Sequence, residues 1–226
     1  PFTRDYRVPI ERQGSDERLQ HLNARIKPFL LRRTKEQVAT ELPPKTEIIH
    51  WVDLNEAQRD VYETMRLAMD KKVRDEITRK GVGRSQIIIL EALLKLRQVC
   101  CDLRLVSDTP PKKGSTSGKL DSLMLMLEEL FAEDRRILLF SQFTSMLRLI
   151  EAELKKRNIR YALLTGQTRD RRTPVKEFQS GTLQIFLISL KAGGVGLNLT
   201  EADTVIHYDP WWNPAVENQA TDRAYR

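Results

Sequence analysis

Cysteine is nearly absent from this sequence: there are two in 226 residues, the adjacent Cys100 and Cys101. Neighbouring cysteines cannot easily bridge each other, and neither has metal-ligand spacing to another cysteine. A disulfide framework and a cysteine-held zinc site are thereby excluded, and a reducing, intracellular compartment is expected. Long apolar runs are missing too. No stretch approaches the ~18 apolar residues of a membrane span, and no signal-peptide pattern opens the chain. Also missing is an apparatus for nucleotide hydrolysis. "GSTSGK" at 114–119 looks like a phosphate loop, but three residues separate its glycines and Leu120 follows its lysine. The motif needs four residues there, Ser or Thr after the lysine to reach Mg2+, and an apolar strand in front of it. No acidic pair ends a buried strand to form a magnesium box. The chain alone is therefore not expected to hydrolyse a nucleotide. It begins "PFTRDYR" without a methionine and stops inside an expected helix, which reads as a fragment.

What is present is basic. The formal charge is +7, with the excess in the first half: residues 1–118 carry 23 basic and 17 acidic side chains, residues 119–226 carry 15 and 14. Such a balance suits a polyanionic partner, although a modestly basic surface is common.

Three regions follow one another. Residues 1–48 read as charged and irregular, with one helix around "DERLQHLNARI" and a stop at Pro43-Pro44, where the missing N–H groups forbid continuation. From about 53 to 105 the pattern is helical: Leu54, Val61, Met65 and Met69 share a stripe, and "IIILEALLKLRQVCCDLRLV" follows a Gly81/Gly83 break. That stripe is a packing face. "SDTPPKKGSTSG", at 107–118, is rich in breakers and marks a boundary.

Beyond the boundary the period changes. "KLDSLMLMLEELF" is helical, "RRILLF" is a short apolar run, and a second helix carries Phe143, Leu147, Ile150 and Leu154. "YALL" comes next, then a helix starting at Thr173-Pro174, then "LQIFLIS" and "TVIHY". Short, continuously apolar strands alternating with helices predict an α/β domain with a parallel sheet covered on both faces. Ligands bind beyond the carboxyl ends of such strands. After "LQIFLIS" comes "SLKAGGVGLNL", in which Gly193, Gly194 and Gly196 stand beside Ser189 and Lys191. Glycines there let backbone N–H groups approach a phosphate, while a plain tight turn is the alternative. The chain closes on "ENQATDRAYR", whose Gln219, Arg223 and Arg226 fall on one face of a helix, which by itself is also what a solvated tail looks like. His207, inside an apolar strand pattern, is expected in the core.

Taken together, "ILLFSQFTSM", "LLTGQTRDRR", "LISLKAGGVGLNLTEADTVIHYDPWWNP" and "ENQATDRAYR" resemble motifs IV to VI of the Swi/Snf-type DNA translocases, a branch of the superfamily-two helicase-like ATPases. "PFLLRRTKEQVATELPPKTE", at 28–47, resembles the segment joining the two motor lobes in that family, and the resemblance is nearer to bacterial members. It implies a RecA-like second lobe over 119–226, a helical protrusion and loop over 49–118, and an interlobe connection or tail of the first lobe over 1–48. The first ATPase lobe, holding most of ATP and Mg2+, would be a separate part of the polypeptide.

The resemblance also implies roles. Arg223 and Arg226 would be arginine fingers, with Gln219 in the same motif, and Gly194, Gly196 and Asn198 would join them at the nucleotide cleft. Ser141, Gln142, Thr168, Arg171, Ser189, Lys191 and Gly193 would lie along one strand of double-stranded DNA, with either Arg171 or Arg172 at the family position. Trp212 would approach the DNA groove, Trp211 would be a packing aromatic, and Asn213-Pro214 would cap the last helix. The cargo is left open among a nucleoprotein, a polymerase and a repair complex, and no membrane is implied. A docking module without enzymatic activity and the lobe of a strand-separating helicase are the alternatives.

Overall fold

The computed structural model describes residues 1–30, 45–106, 117–193, 198–222 and 224. Pro43-Pro44, the start of "GSTSGK", Gly194, Gly196, Arg223 and Arg226 lie outside them. Two compact units are distinguished, Pro1–Ile48 and Ile49–Arg226.

In the smaller unit, residues 3–13 are helical where the sequence reads as irregular. A π-type turn over Thr3–Arg7 runs without a break into α1, Val8–Gln13, and Pro9 lies where the π turn passes into the α-helix. Gly14, at φ 62°, takes the left-handed conformation that ends α1. Helix α2, Asp16–Ile26, is the expected "DERLQHLNARI", capped by the Ser15 hydroxyl accepting from the Arg18 N–H. Tyr6 of the π-type turn and His21 of α2 tie those two elements together: their rings stack at 5.8 Å and their polar atoms meet at 3.0 Å.

The larger unit is a helical arm on an α/β domain. The arm consists of α3, Glu56–Lys80, and α4, Val82–Cys101. Asn55 caps α3 through the Gln58 N–H, and Gly81, at φ 75°, turns the chain into α4. The break is Gly81 alone, because Gly83 is already inside α4. Val61, Met65 and Met69 form a half-buried stripe of α3, and on α4, which packs against it, Ile88, Ala92 and Val99 are the half-buried and buried positions at helical spacing.

At the base of the arm lies a polar knot that periodicity does not reveal. Gln58 is 0% exposed; its Nε2 donates to the Val99 carbonyl and its Oε1 accepts from the Gly118 N–H, each at 3.0 Å. Gly118 begins α5, Gly118–Ala132, whose cap is the Ser117 hydroxyl. A Cβ on Gly118 would stand 2.9 Å from the Asp53 carbonyl, so the backbone passes where only glycine fits. The described part of "GSTSGK" is thus occupied structurally: Ser117 also donates to the Cys101 carbonyl at 2.5 Å, and the Lys119 ammonium lies 5.1 Å from the Tyr208 ring centre.

Four parallel strands follow: β1 Ile137–Ser141, β2 Tyr161–Leu164, β3 Ile185–Ser189 and β4 Thr204–His207, in the order β2-β3-β1-β4. All four match the apolar runs of the sequence. The central pair is fully buried, as strands covered on both faces must be. Alternation assigns the faces. Ile137, Leu139, Ile185 and Leu187 pack with Leu123 and Leu127 of α5 and with Leu147 and Ile150 of α6, Thr144–Lys156. Leu138, Phe140, Phe186 and Ile188 pack against Phe178 of α7, Arg172–Gln179, and Ala220 of α8, Pro214–Thr221. At about 1.5–3 kcal/mol for each large apolar side chain buried, these two layers supply most of the domain's cohesion.

Helix α7 starts one residue before the expected Thr173. Arg171 precedes it without a side-chain cap bond, and Asp170, one residue further out, holds the first turn through Oδ1, which accepts from the Arg172 and Thr173 N–H groups at 3.0 and 3.2 Å. The Asp170 carboxyl lies below its usual range because the Thr173 hydroxyl and these N–H groups hold its charged form. Asn213 caps α8 and Pro214 is its first residue, as the sequence predicts. Among the described residues no helix is long and apolar enough to cross a membrane.

Candidate nucleic-acid and nucleotide interface

Because all four strands are parallel, the loops that follow them emerge on one edge of the sheet. Ser141 ends β1 and Ser189 ends β3 in direct register, with His207 of β4 opposite Phe140. Parallel pairing therefore brings the segments that directly follow the four strands to a common rim.

Ser141 is buried, and its hydroxyl accepts from the Phe143 N–H at 3.1 Å while facing the Phe143 carbonyl at 3.3 Å. It shapes the turn into α6 and, as placed, presents no hydroxyl to solvent. Gln142 is half-buried. Its N–H donates to Asp209 Oδ2 at 3.0 Å and its Oε1 accepts from Arg97 at 3.1 Å.

In the loop after β2, Thr168 folds its hydroxyl back to accept from the Thr165 N–H at 2.9 Å, and the Gln167 N–H donates to the Thr165 hydroxyl. These local bonds fix the loop as it enters Arg169–Arg172. Arg171 is half-buried at the start of α7, whereas Arg169 and Arg172 are exposed. After β3, Ser189 is buried and Leu190–Gly193 forms a single helical turn with Lys191 exposed on it. Gly193 closes that turn, and Asn198 offers its carbonyl to Gln179 Nε2 at 2.9 Å.

After β4 the two tryptophans separate. Trp212 is 77% exposed, whereas Trp211 is half-buried, packed on the second apolar layer and covered by the Arg97 guanidinium at 5.2 Å. The Trp211 N–H donates to Glu217 of α8 at 2.6 Å, anchoring the loop. His207 is only half-buried, since β4 is an edge strand. It stacks on Phe140 at 5.4 Å and meets the Thr221 hydroxyl of α8 at 2.9 Å. Gln219 is exposed on α8.

Two residues that motif reading passes over organise this rim. Asp209 is 5% exposed, and burial pushes its carboxyl above the usual range despite the Ser141 and Gln142 donors near it. Its signal is a lone acid directly after the apolar "TVIHY". Arg97, in the last turns of α4, also donates to the Pro210 carbonyl. Its signal is a single guanidinium among the apolar residues of "LLKLRQVCC".

Comparison with known proteins fits this geometry. Residues 118–226 match the helicase conserved C-terminal domain and residues 1–105 the SNF2-related domain. The Bacillus subtilis protein YwqA, named as a candidate ATP-dependent helicase/translocase, is 38% identical over 232 residues, covering 100% of this chain and 25% of that protein. The chain thus spans a quarter of that relative's length. The Sulfolobus solfataricus SWI2/SNF2 ATPase core in complex with dsDNA superposes with a TM-score of 0.68 at 30% identity, covering 100% of this chain and 47% of that one. The separate C-terminal domain of the Sulfolobus ATPase is 32% identical, with a TM-score of 0.62, covering 74% of this chain and 73% of that one. The chain belongs to the SWI2/SNF2 family of helicase-like ATPases, and its sheet is the RecA-like domain of that family.

Proposed function

We propose that this chain is the second motor lobe of an ATP-dependent translocase on double-stranded DNA. It supplies arginines to the nucleotide cleft and part of a sequence-independent grip on DNA phosphates. The observation that carries this reading is the rim itself, where Arg169 and Arg172 after β2, Lys191 after β3 and Trp212 after β4 stand exposed on the segments that leave one edge of the parallel sheet. Cations on such loops meet phosphates, and contacts of that kind fix position without reading bases. Within the grip, Gln142 and Lys191 contact phosphate, with Arg171 or Arg172 beside them, and Trp212 lies toward the groove. Ser141, Ser189 and Thr168 hold the loops whose backbone N–H groups approach the same strand.

ATP and Mg2+ are held mainly by the first ATPase lobe in this reading. Among the described residues no three His, Cys, Asp or Glu side chains gather to take a metal ion. This chain adds Gln219, Arg223 and Arg226, with Gly194, Gly196 and Asn198 beside them. A guanidinium placed against the γ-phosphate stabilises the charge that spreads over it, an effect worth about 10³–10⁵ in rate. Lysine lacks the planar fork and would not replace it. Alternate closing and opening of the two lobes then advances the grip along the duplex. Alone, the chain is expected to turn over no ATP.

The test is a triplex-displacement assay beside a duplex-unwinding assay on the full-length polypeptide. Displacement without unwinding is expected. Efficient unwinding would identify a strand-separating helicase, and neither activity would leave a docking module.

A further inference from the structure

Arg97 bridges three features at once. It comes from the helical arm, yet its guanidinium donates to Gln142 Oε1 at 3.1 Å, donates to the Pro210 carbonyl and lies 5.2 Å from the centre of the Trp211 ring. Gln142 belongs to the loop after β1, whereas Pro210 and Trp211 belong to the loop after β4. Those loops are also tied directly, through the Gln142 N–H and the buried Asp209 carboxylate at 3.0 Å. Arm and lobe are not solidly packed beside this bridge. A cleft of about 270 Å³ runs between them, lined by Tyr62, Leu96, Cys100, Lys119, Asp209 and Pro210. The Tyr208 hydroxyl, directly after β4, donates to the Cys101 carbonyl at the end of the arm at 3.2 Å, while beside the cleft the planar guanidinium fork of Arg97 is what reaches both Gln142 and Pro210. One cation that donates to acceptors in two different loops beside an aromatic ring constrains how those loops lie relative to each other.

We propose that Arg97 is a positioning residue that locks the loops after β1 and β4 to the helical arm, so that displacement of the arm changes the DNA grip of Gln142 and Trp212. The locking stands on the contacts alone, whereas its effect on DNA rests on the grip described above. The partner of the arm that would exploit this link is any element pressing on α3 and α4 as the motor cycles.

The experiment uses the full-length polypeptide with Arg97→Ala, Arg97→Lys, Gln142→Ala and the Arg97→Ala/Gln142→Ala pair. Amide hydrogen exchange is read at residues 141–143 and 209–213, with β2 and α6 as the control for global folding. Arg97→Ala is expected to speed exchange in both loops by roughly tenfold or more, as the loss of charge-assisted hydrogen bonds implies, and to leave the control region unchanged. Arg97→Lys should recover less than half of that protection in logarithmic terms, because an ammonium cannot span both acceptors. Unchanged exchange in either loop, or full rescue by lysine, overturns the proposal. Should Arg97→Ala fail to fold, Arg97→Lys and Gln142→Ala decide by the same readout.

Duplex affinity, measured in parallel, separates the two claims. Arg97→Ala and Gln142→Ala should each weaken binding, and the pair should be no weaker than the worse single variant. Fully additive losses overturn the coupling. Loss of loop protection with no change in affinity on Gln142→Ala would refute Gln142 as a DNA contact while leaving the locking intact.

Discussion

Replacing Gln58 by leucine tests the polar knot at the base of the arm. The side chain is 0% exposed and makes two hydrogen bonds of 3.0 Å, to the Val99 carbonyl and from the Gly118 N–H. Leucine fills nearly the same space but strands both backbone groups away from water. Each stranded group costs about 1–3 kcal/mol, so the change should destabilise by about 2–6 kcal/mol, a large share of the 5–15 kcal/mol of an ordinary domain. Glutamate at the same position sharpens the test. When protonated it can donate to Val99 and accept from Gly118, restoring both bonds. When ionised it can only accept, and it sets a buried charge against a carbonyl. Burial therefore raises its folded-state pKa above the unfolded value, and the missing bond to the Val99 carbonyl returns only in acid. The restored stability is fully present below the unfolded value, near 4.3 in model peptides, and is lost as pH rises through the folded value. Urea unfolding of both variants and the parent, across a pH series, reads this directly. A leucine variant destabilised by less than about 1 kcal/mol would refute the burial reasoning. A glutamate deficit that does not change with pH would refute the hydrogen-bond assignment.

Three other substitutions or measurements follow from the same coordinates. Asp209 has its carboxyl raised by burial, so the native state holds its proton longer than the unfolded chain does. Its contribution is present below the ordinary aspartate range and is lost as pH rises through the folded value. Asp209→Asn keeps an acceptor for the Gln142 N–H and should flatten that decline in a pH series of unfolding midpoints. Cys101, buried and pushed up to about 12, should resist alkylation in the native protein at pH 8, while the half-exposed Cys100 reacts first, as mass spectrometry of timed quenches would show. Trp212→Ala should leave the unfolding midpoint within about 0.5 kcal/mol of the parent, since the ring is 77% exposed, but should weaken duplex binding in a fluorescence titration.

The sheet was legible in the sequence because buried parallel strands are continuous apolar runs, and "RRILLF" and "LQIFLIS" could be little else once breakers bounded them. Pairing order was not: nothing in "YALL" or "TVIHY" says that they flank a central pair. The knot at Gln58 was invisible because its partner in α4 lies 41 residues away, and a buried glutamine carries no periodic signature. Arg97 is the same case, with acceptors 45 and 113 residues distant. Residues 3–13 misled for a different reason. Pro9 reads as a helix breaker in a charged stretch, yet here it follows a π-type turn that leads straight into α1. At the rim the motifs indicated the right segments without the direction of every side chain. Ser141 sits where expected, yet its hydroxyl serves Phe143.

The most direct measurement of the proposed role is DNA-stimulated ATP turnover by the full-length polypeptide carrying Arg223→Ala, taken beside its duplex affinity. A second motor lobe that lends an arginine to the partner's nucleotide predicts turnover reduced by about 10³-fold or more with affinity within about twofold of the parent. Turnover that survives, or turnover and affinity lost together, would contradict it.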